Sequence, residues 1–157
     1  MEKFIQPFIT GSEEVFRDLC NIEVKAGRPF FSAQNEFDTI WDISGVIGLS
    51  GEANGAVAIS LKQETAFKLT SILTGKEYTT IEREVTDMLG EVVNIITGNV
   101  KNIFEKKHRI KITMPSIIKG KAHSIVWPSE KTRIICIPFS LFDNHELCLS
   151  VAVEQAK

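Results

Sequence analysis

Two stretches of this chain lie on one another without a gap. Ile43, Ile47, Leu49, Val57, Ile59 and Leu61 of residues 43–61 fall on Ile135, Phe139, Leu141, Leu149, Val151 and Val153 of residues 135–153. Within each block the apolar residues alternate, as a strand with one buried face requires. A polar turn interrupts each block, at residues 50–55 in the first and 143–146 in the second, so each reads as a β-hairpin. Each hairpin follows a helix-like stretch and a shorter strand, around residues 29–33 and 110–118. This pattern predicts an α+β fold of two pseudo-symmetric helix-plus-three-strand units. They occupy a single domain spanning residues 1–157, with halves of about 1–62 and 81–157.

Three helices are expected. The first covers residues 12–20, with Glu13 and Glu14 suited to the positive end of its dipole. The second begins after Ser60, where Ser60 and Gln63 have capping-box spacing, and stops at Gly75. The third is the longest, over residues 81–107. Thr79 and Glu82 form its expected capping box, and Lys106, Lys107 and His108 suit its negative end.

The chain has 157 residues, 43% hydrophobic and 24% charged, with a formal net charge of −2, which fits one domain with its own core. Mild acidity argues against a dedicated nucleic-acid binder. Cys20, Cys136 and Cys148 are scattered and include no Cys-x-x-Cys pair, so neither a disulfide framework nor a zinc knuckle is expected. No apolar run approaches the roughly 20 residues of a membrane span, and the first residues carry no apolar core of signal-peptide length. A soluble, cytoplasmic protein is the expectation, with no membrane partner.

At about 100° per residue, the third helix gathers Val85, Met88, Leu89, Val92, Ile96, Val100 and Ile103 on one stripe, which must face the core. Asp87, Glu91, Asn94, Gly98 and Lys101 gather opposite. Glu91 and Asn94 are three residues apart, so a carboxylate and a carboxamide stand side by side on the outer face. Gly98 lies one turn further on. A glycine inside a helix costs about 1 kcal/mol relative to alanine, which a close-approaching partner backbone would explain. The bland alternative is that any amphipathic helix shows polar residues to water. Asn99, at the edge of the apolar stripe, reads as a structural polar group bonded to neighbouring backbone.

The stretch Asp87-Met-Leu-Gly-Glu91-Val-Val-Asn94, followed by Pro115, resembles the signature of the CheC/CheX/FliY family of chemotaxis phosphatases. That signature is an Asp or Ser, a Glu four residues on, an Asn three further, and a Pro about two dozen later. Pro115 comes slightly early, with 20 residues between it and Asn94. Residues 95–101 and 115–120 are also similar to the family, and the likeness covers essentially the whole chain. Members with two sites carry Glu-x-x-Asn on both related helices. Here the first helix offers only Asp18-Leu-Cys-Asn21, and Asn21 reads as a helix C-cap. One signature on a short chain points to the CheX branch, a single-site homodimer.

The resemblance implies a hydrolase whose substrate is the aspartyl phosphate of a CheY-type receiver. The receiver would supply Mg2+, a lysine and the phosphorylated carboxylate; the chain itself would need no cofactor or metal. Asn94 would position the attacking water, since its amide both donates and accepts. Glu91 would accept from the receiver's lysine, and Asp87, Gly98 and Lys101 would complete the partner surface. The alternative is a non-catalytic receiver-binding or flagellar-switch-type scaffold domain on the same fold.

Other features point elsewhere only weakly. Gly48-Leu-Ser50-Gly51 is not a nucleophile elbow, and no phosphate-binding loop is present. His108, His123 and His145 lack zinc spacing. The run Lys106, Lys107, His108, Arg109 and Lys111 reads as a solvated helix end, or as a surface that attracts an acidic receiver. Trp41 and Trp127 read as core or edge anchors. Cys136 and Cys148 lie on the strand face opposite the apolar row, so both sheet faces should be covered, one by helices and one by a partner subunit at an exposed strand edge.

Overall fold

The computed structural model describes residues 2–32, 41–125, 132–142 and 144–154. The elements in chain order are α1 (Glu2–Cys20), β1 (Lys25–Ala26), β2 (Phe30–Ser32), β3 (Trp41–Gly51), β4 (Asn54–Leu61), α2 (Gln63–Thr74), α3 (Arg83–Phe104), β5 (Ile110–Ile112), β6 (Ser116–His123), β7 (Arg133–Ser140) and β8 (Glu146–Glu154). Residues Ala33, Trp127 and Asp143, which the sequence reading also used, lie outside the described residues.

All eight strands form one antiparallel sheet, with β7-β8-β4-β3 at its centre. The short strands β1 and β2 pair with β7 at one edge, and β5 and β6 pair with β3 at the other. The duplication is built into the central register. Val57 and Ile59, whose sequence counterparts are Leu149 and Val151, lie opposite Val151 and Leu149. Each half therefore pairs with the equivalent strand of the other about the Ala58–Ser150 pair.

The outer strands correct the gap-free superposition. Ile43 pairs with Leu61 in the first hairpin, but Val153 pairs with Arg133 rather than Ile135 in the second, a slip of two residues. A two-residue slip keeps every side chain on its face, so the alternation could not reveal it. The expected strand over 110–118 is also two strands. Thr113 N donates to Gly48 O at 3.0 Å, and Gly48 N donates to Thr113 Oγ1 at 2.9 Å. Pro115 follows, and it has no N–H to continue a ladder.

The helices pack on one sheet face. Ile43, Ile47, Val57, Ile59, Leu61, Leu149 and Val151 from the strands meet Leu89, Val92, Val93 and Ile96 of α3, all at most 1% exposed. Gly45 lets α3 approach the sheet: a Cβ there would meet Leu89 at 3.1 Å and Val93 at 3.2 Å. The α3 stripe is buried as expected except at Ile103, which is exposed; Phe104 packs inward instead, stacked on Phe4 with ring centroids 5.4 Å apart. Asn99 is exposed rather than bonded to neighbouring backbone.

Helix ends differ from expectation for identifiable reasons. α1 begins at Glu2, ten residues earlier than expected (12 − 2), because Phe4 and Phe8 anchor its first turns against Phe104. Pro7 forfeits only one intrahelical bond there. Asn21, at φ 52°, ends α1 as expected: its N–H donates to Arg17 O and that of Ile22 to Phe16 O. Ser60 does not cap α2. It lies within β4 and bonds Ser44, while the N-cap residue is Lys62 and the free Gln63 N–H donates to Asp42 Oδ2 of β3 at 2.9 Å. Thr79 does not cap α3 either; Glu82 is the N-cap residue, without a side-chain cap bond. α3 ends at Phe104, and Lys106 and Lys107 lie in the turn beyond it.

Candidate functional site

α3 buries one side against the sheet and turns the other outward. Asp87, Glu91 and Asn94 are exposed, and Gly98 and Lys101 are partly so, in one row along the helix. Among the described residues, no hydrogen bond or ion pair engages the side chains of Glu91 or Asn94. Asp87 lies 3.8 Å from Arg83 and Lys101 lies 3.1 Å from Glu105, both one helical turn away. The Arg83–Asp87 pair is mostly exposed and adds little to stability. A Cβ built on Gly98 meets nothing within 4 Å, so the site above that glycine is open.

The row therefore holds a carboxylate and an amide with free hydrogen-bonding capacity, flanked by an open backbone segment. An amide can hold one water by donating and accepting at once, and a carboxylate can receive an ammonium.

Sequence spacing does not show what stands beside this row. Pro115 packs on α3 at Gly90, where an added Cβ would lie 3.8 Å from Pro115 Cγ. Gly90 precedes Glu91 and lies one turn before Asn94, so the loop of residues 113–115 flanks the exposed face. The signal available in sequence was Pro115 itself; its contact with Gly90 needed the fold.

The corresponding face of α1 does not repeat the Glu91–Asn94 pair. Ile5, Phe8, Ser12 and Phe16 have the same spacing as the buried Leu89, Val92, Ile96 and Val100. Matched this way, Pro7 and Thr10 stand where α3 has Glu91 and Asn94. Asp18 is exposed and Asn21 is occupied as the helix cap.

The remaining candidates are engaged structurally. His108 Nδ1 lies 3.2 Å from Glu52, His145 Nδ1 lies 2.8 Å from Thr65 Oγ1, and His123 Nε2 lies 2.7 Å from the buried Ser44 Oγ. Among the described residues, no three His, Cys, Asp or Glu side chains gather as metal ligands. Lys101, His108, Arg109 and Lys111 line an open cleft of about 530 Å³ with Glu52 and Glu105, so acidic residues interrupt the basic cluster.

The three cysteines are buried free thiols. Burial pushes the Cys20 thiol up. Cys136 donates to Cys148, which holds the Cys136 thiol well above its ordinary range. Cys136 and Cys148, with Ile134, Ala152 and Trp41, form a second small core on the other sheet face. They are 0% and 6% exposed within a single chain, so their burial does not require the partner subunit the sequence reading invoked.

The profile of the family described as Chemotaxis phosphatase CheX matches residues 43–140. The CheY-P phosphatase CheX of Thermotoga maritima is 27% identical over 155 residues, covering 97% of this chain and 96% of that protein. The crystal structure of the chemotaxis protein CheX from Vibrio vulnificus superposes with a TM-score of 0.86 at 27% identity, over 97% of this chain and 99% of that one. CheX from Borrelia burgdorferi, crystallised as a complex with CheY, BeF3 and Mg2+, superposes with a TM-score of 0.80 at 28% identity, over 96% and 97% of the two chains.

Proposed function

This chain belongs to the family of the chemotaxis phosphatase CheX, and from that premise we propose that it accelerates hydrolysis of the aspartyl phosphate on a CheY-type response regulator. The observation that carries the reading is the pair Glu91 and Asn94, free and adjacent on the exposed face of a rigidly packed helix. The relatives named for CheY-P hydrolysis and for a complex with CheY support the choice of substrate.

An acyl phosphate is already reactive, so catalysis reduces to placing water in line with phosphorus and fixing nearby charge. Asn94 holds that water through its amide, which is too weak a base to abstract a proton and acts by orientation. Glu91 accepts from the receiver's active-site lysine and sets the register between the proteins. Asp87 and Lys101 border the contact, each tethered by its ion pair, and open Gly98 lets the receiver's backbone come close. A hundredfold acceleration corresponds to about 2.7 kcal/mol, within reach of one oriented water and fixed dipoles. In this reading Mg2+ belongs to the receiver, and this chain works in the cytoplasm.

The chain also acts as a homodimer in this reading. The outer edge of β6 supports it: among the described residues no strand pairs there, and most of its residues are exposed. Sedimentation showing only monomer at micromolar concentration would refute the dimer.

The deciding experiment measures phosphate release from phosphorylated CheY-type receivers, comparing wild type with Asn94→Ala. Wild type should accelerate release, and Asn94→Ala should lose about 10–100-fold, most or all of the acceleration, while still binding the receiver. No acceleration of any receiver, with binding intact, would replace the phosphatase reading with that of a receiver-binding scaffold.

A further inference from the structure

We propose that Met114 is the apolar anchor that seats the receiver against the Glu91–Asn94 face, an inference that rests on the phosphatase reading above. Met114 is 85% exposed, whereas the next most exposed large hydrophobic residues among those described, Phe31 and Ile103, are 52% and 50% exposed. Within one chain, then, nearly all of its side chain gains nothing from burial.

The backbone beneath it is fixed on both sides. Thr113 exchanges two hydrogen bonds with Gly48, at 3.0 and 2.9 Å, and its Oγ1 lies 3.1 Å from Met114 O. Pro115 packs on α3 at Gly90, beside Glu91 and one turn before Asn94. Met114 is thus exposed between two pinned neighbours, one of them packed on α3 beside Glu91.

The location identifies the occupant. Its chain neighbour Pro115 packs on α3 next to Glu91, and a flexible thioether suits contact with an apolar patch on the rim of another protein's active site. The contact is made before and during reaction alike, so it acts on binding and leaves the chemical step unchanged. Met114 is therefore a docking and specificity residue rather than a catalytic one.

The test is phosphate release as a function of phosphorylated receiver concentration for wild type, Met114→Ala, Met114→Asp and Met114→Leu, with labelled-receiver binding and sedimentation in parallel. Met114→Ala should raise the half-saturating receiver concentration about tenfold, the effect expected of an apolar anchor at an interface, with the maximal rate unchanged. Met114→Asp should raise it further, Met114→Leu should restore it to within about threefold, and all melting temperatures should agree because the side chain is exposed. Unchanged half-saturation in the Ala and Asp variants, with wild type active, would overturn the docking role and leave the phosphatase reading standing. Weaker binding accompanied by dissociation of a dimer in Met114→Asp would also overturn it, assigning Met114 to self-association. Wild type that neither binds nor dephosphorylates any receiver would overturn both readings, whereas binding without acceleration would overturn the phosphatase reading and leave the labelled-receiver titrations to decide the docking role.

Discussion

In the proposed reaction Glu91 and Asn94 divide the work through their different chemistry. A carboxylate attracts a cation over several ångströms, whereas an amide acts only on what it touches. Glu91→Ala should therefore weaken receiver binding about tenfold and lower the salt dependence of binding, measured by titration at two ionic strengths. Normal binding and normal dephosphorylation by that variant would refute the lysine-pairing role. These two residues were legible in sequence because their spacing of three on an amphipathic helix forces them onto one face, whatever the tertiary fold. Pro115 was legible as a residue but not as a neighbour, because its contact with Gly90 spans two elements. Met114 carried no signal, since a lone methionine in sequence gives no sign of its exposure.

At the scale of elements, α3 is both a core helix and the carrier of the candidate site. Leu89, Val92, Val93 and Ile96 lock it to the sheet, which fixes the direction of its outer row. Gly98 lies in that row with open space above it, so Gly98→Ala should stabilise the fold by about 1 kcal/mol. The melting temperature should rise by roughly 2–4 °C, while the added methyl group raises the half-saturating receiver concentration. A variant that is more stable and binds equally well would show that the open space is not used by the receiver. α2 offers a contrast away from the site. Asp42→Ala removes the acceptor for Gln63 N–H and should cost about 1 kcal/mol by urea titration, with phosphatase activity retained. That cap was missed because Ser60 and Gln63 have local capping spacing, whereas the group in use arrives from β3 through the tertiary fold. Ser60 instead serves β4, its hydroxyl 2.7 Å from that of Ser44.

Across the whole molecule, the β4–β8 ladder joins the two halves of the sheet. Ile59 and Leu149 face one another there, and both are essentially fully buried. Ile59→Ala should destabilise the protein by about 2–5 kcal/mol through lost burial and a residual cavity. Circular dichroism and tryptophan fluorescence should follow one coincident transition, because both halves share this ladder. Two separated transitions would mean that the halves unfold independently. The site depends on the same framework: β3 carries Gly45, where α3 approaches, and Gly48, where the 113–115 bridge is pinned.

What the sequence determined by itself was everything set by local period and spacing. Alternation in residues 43–61 and 135–153 specified two hairpins, and the apolar stripe of α3 specified its buried side and hence its outer row of Asp87, Glu91, Asn94, Gly98 and Lys101. The tertiary structure decided whatever joins distant segments: the two-residue slip of the second hairpin, the capping of α2 by Asp42, and the seating of Pro115 on Gly90. The physical reason is that periodicity fixes which face of an element is buried, and every register differing by two residues satisfies it equally. Only packing and long-range hydrogen bonds select one of these arrangements.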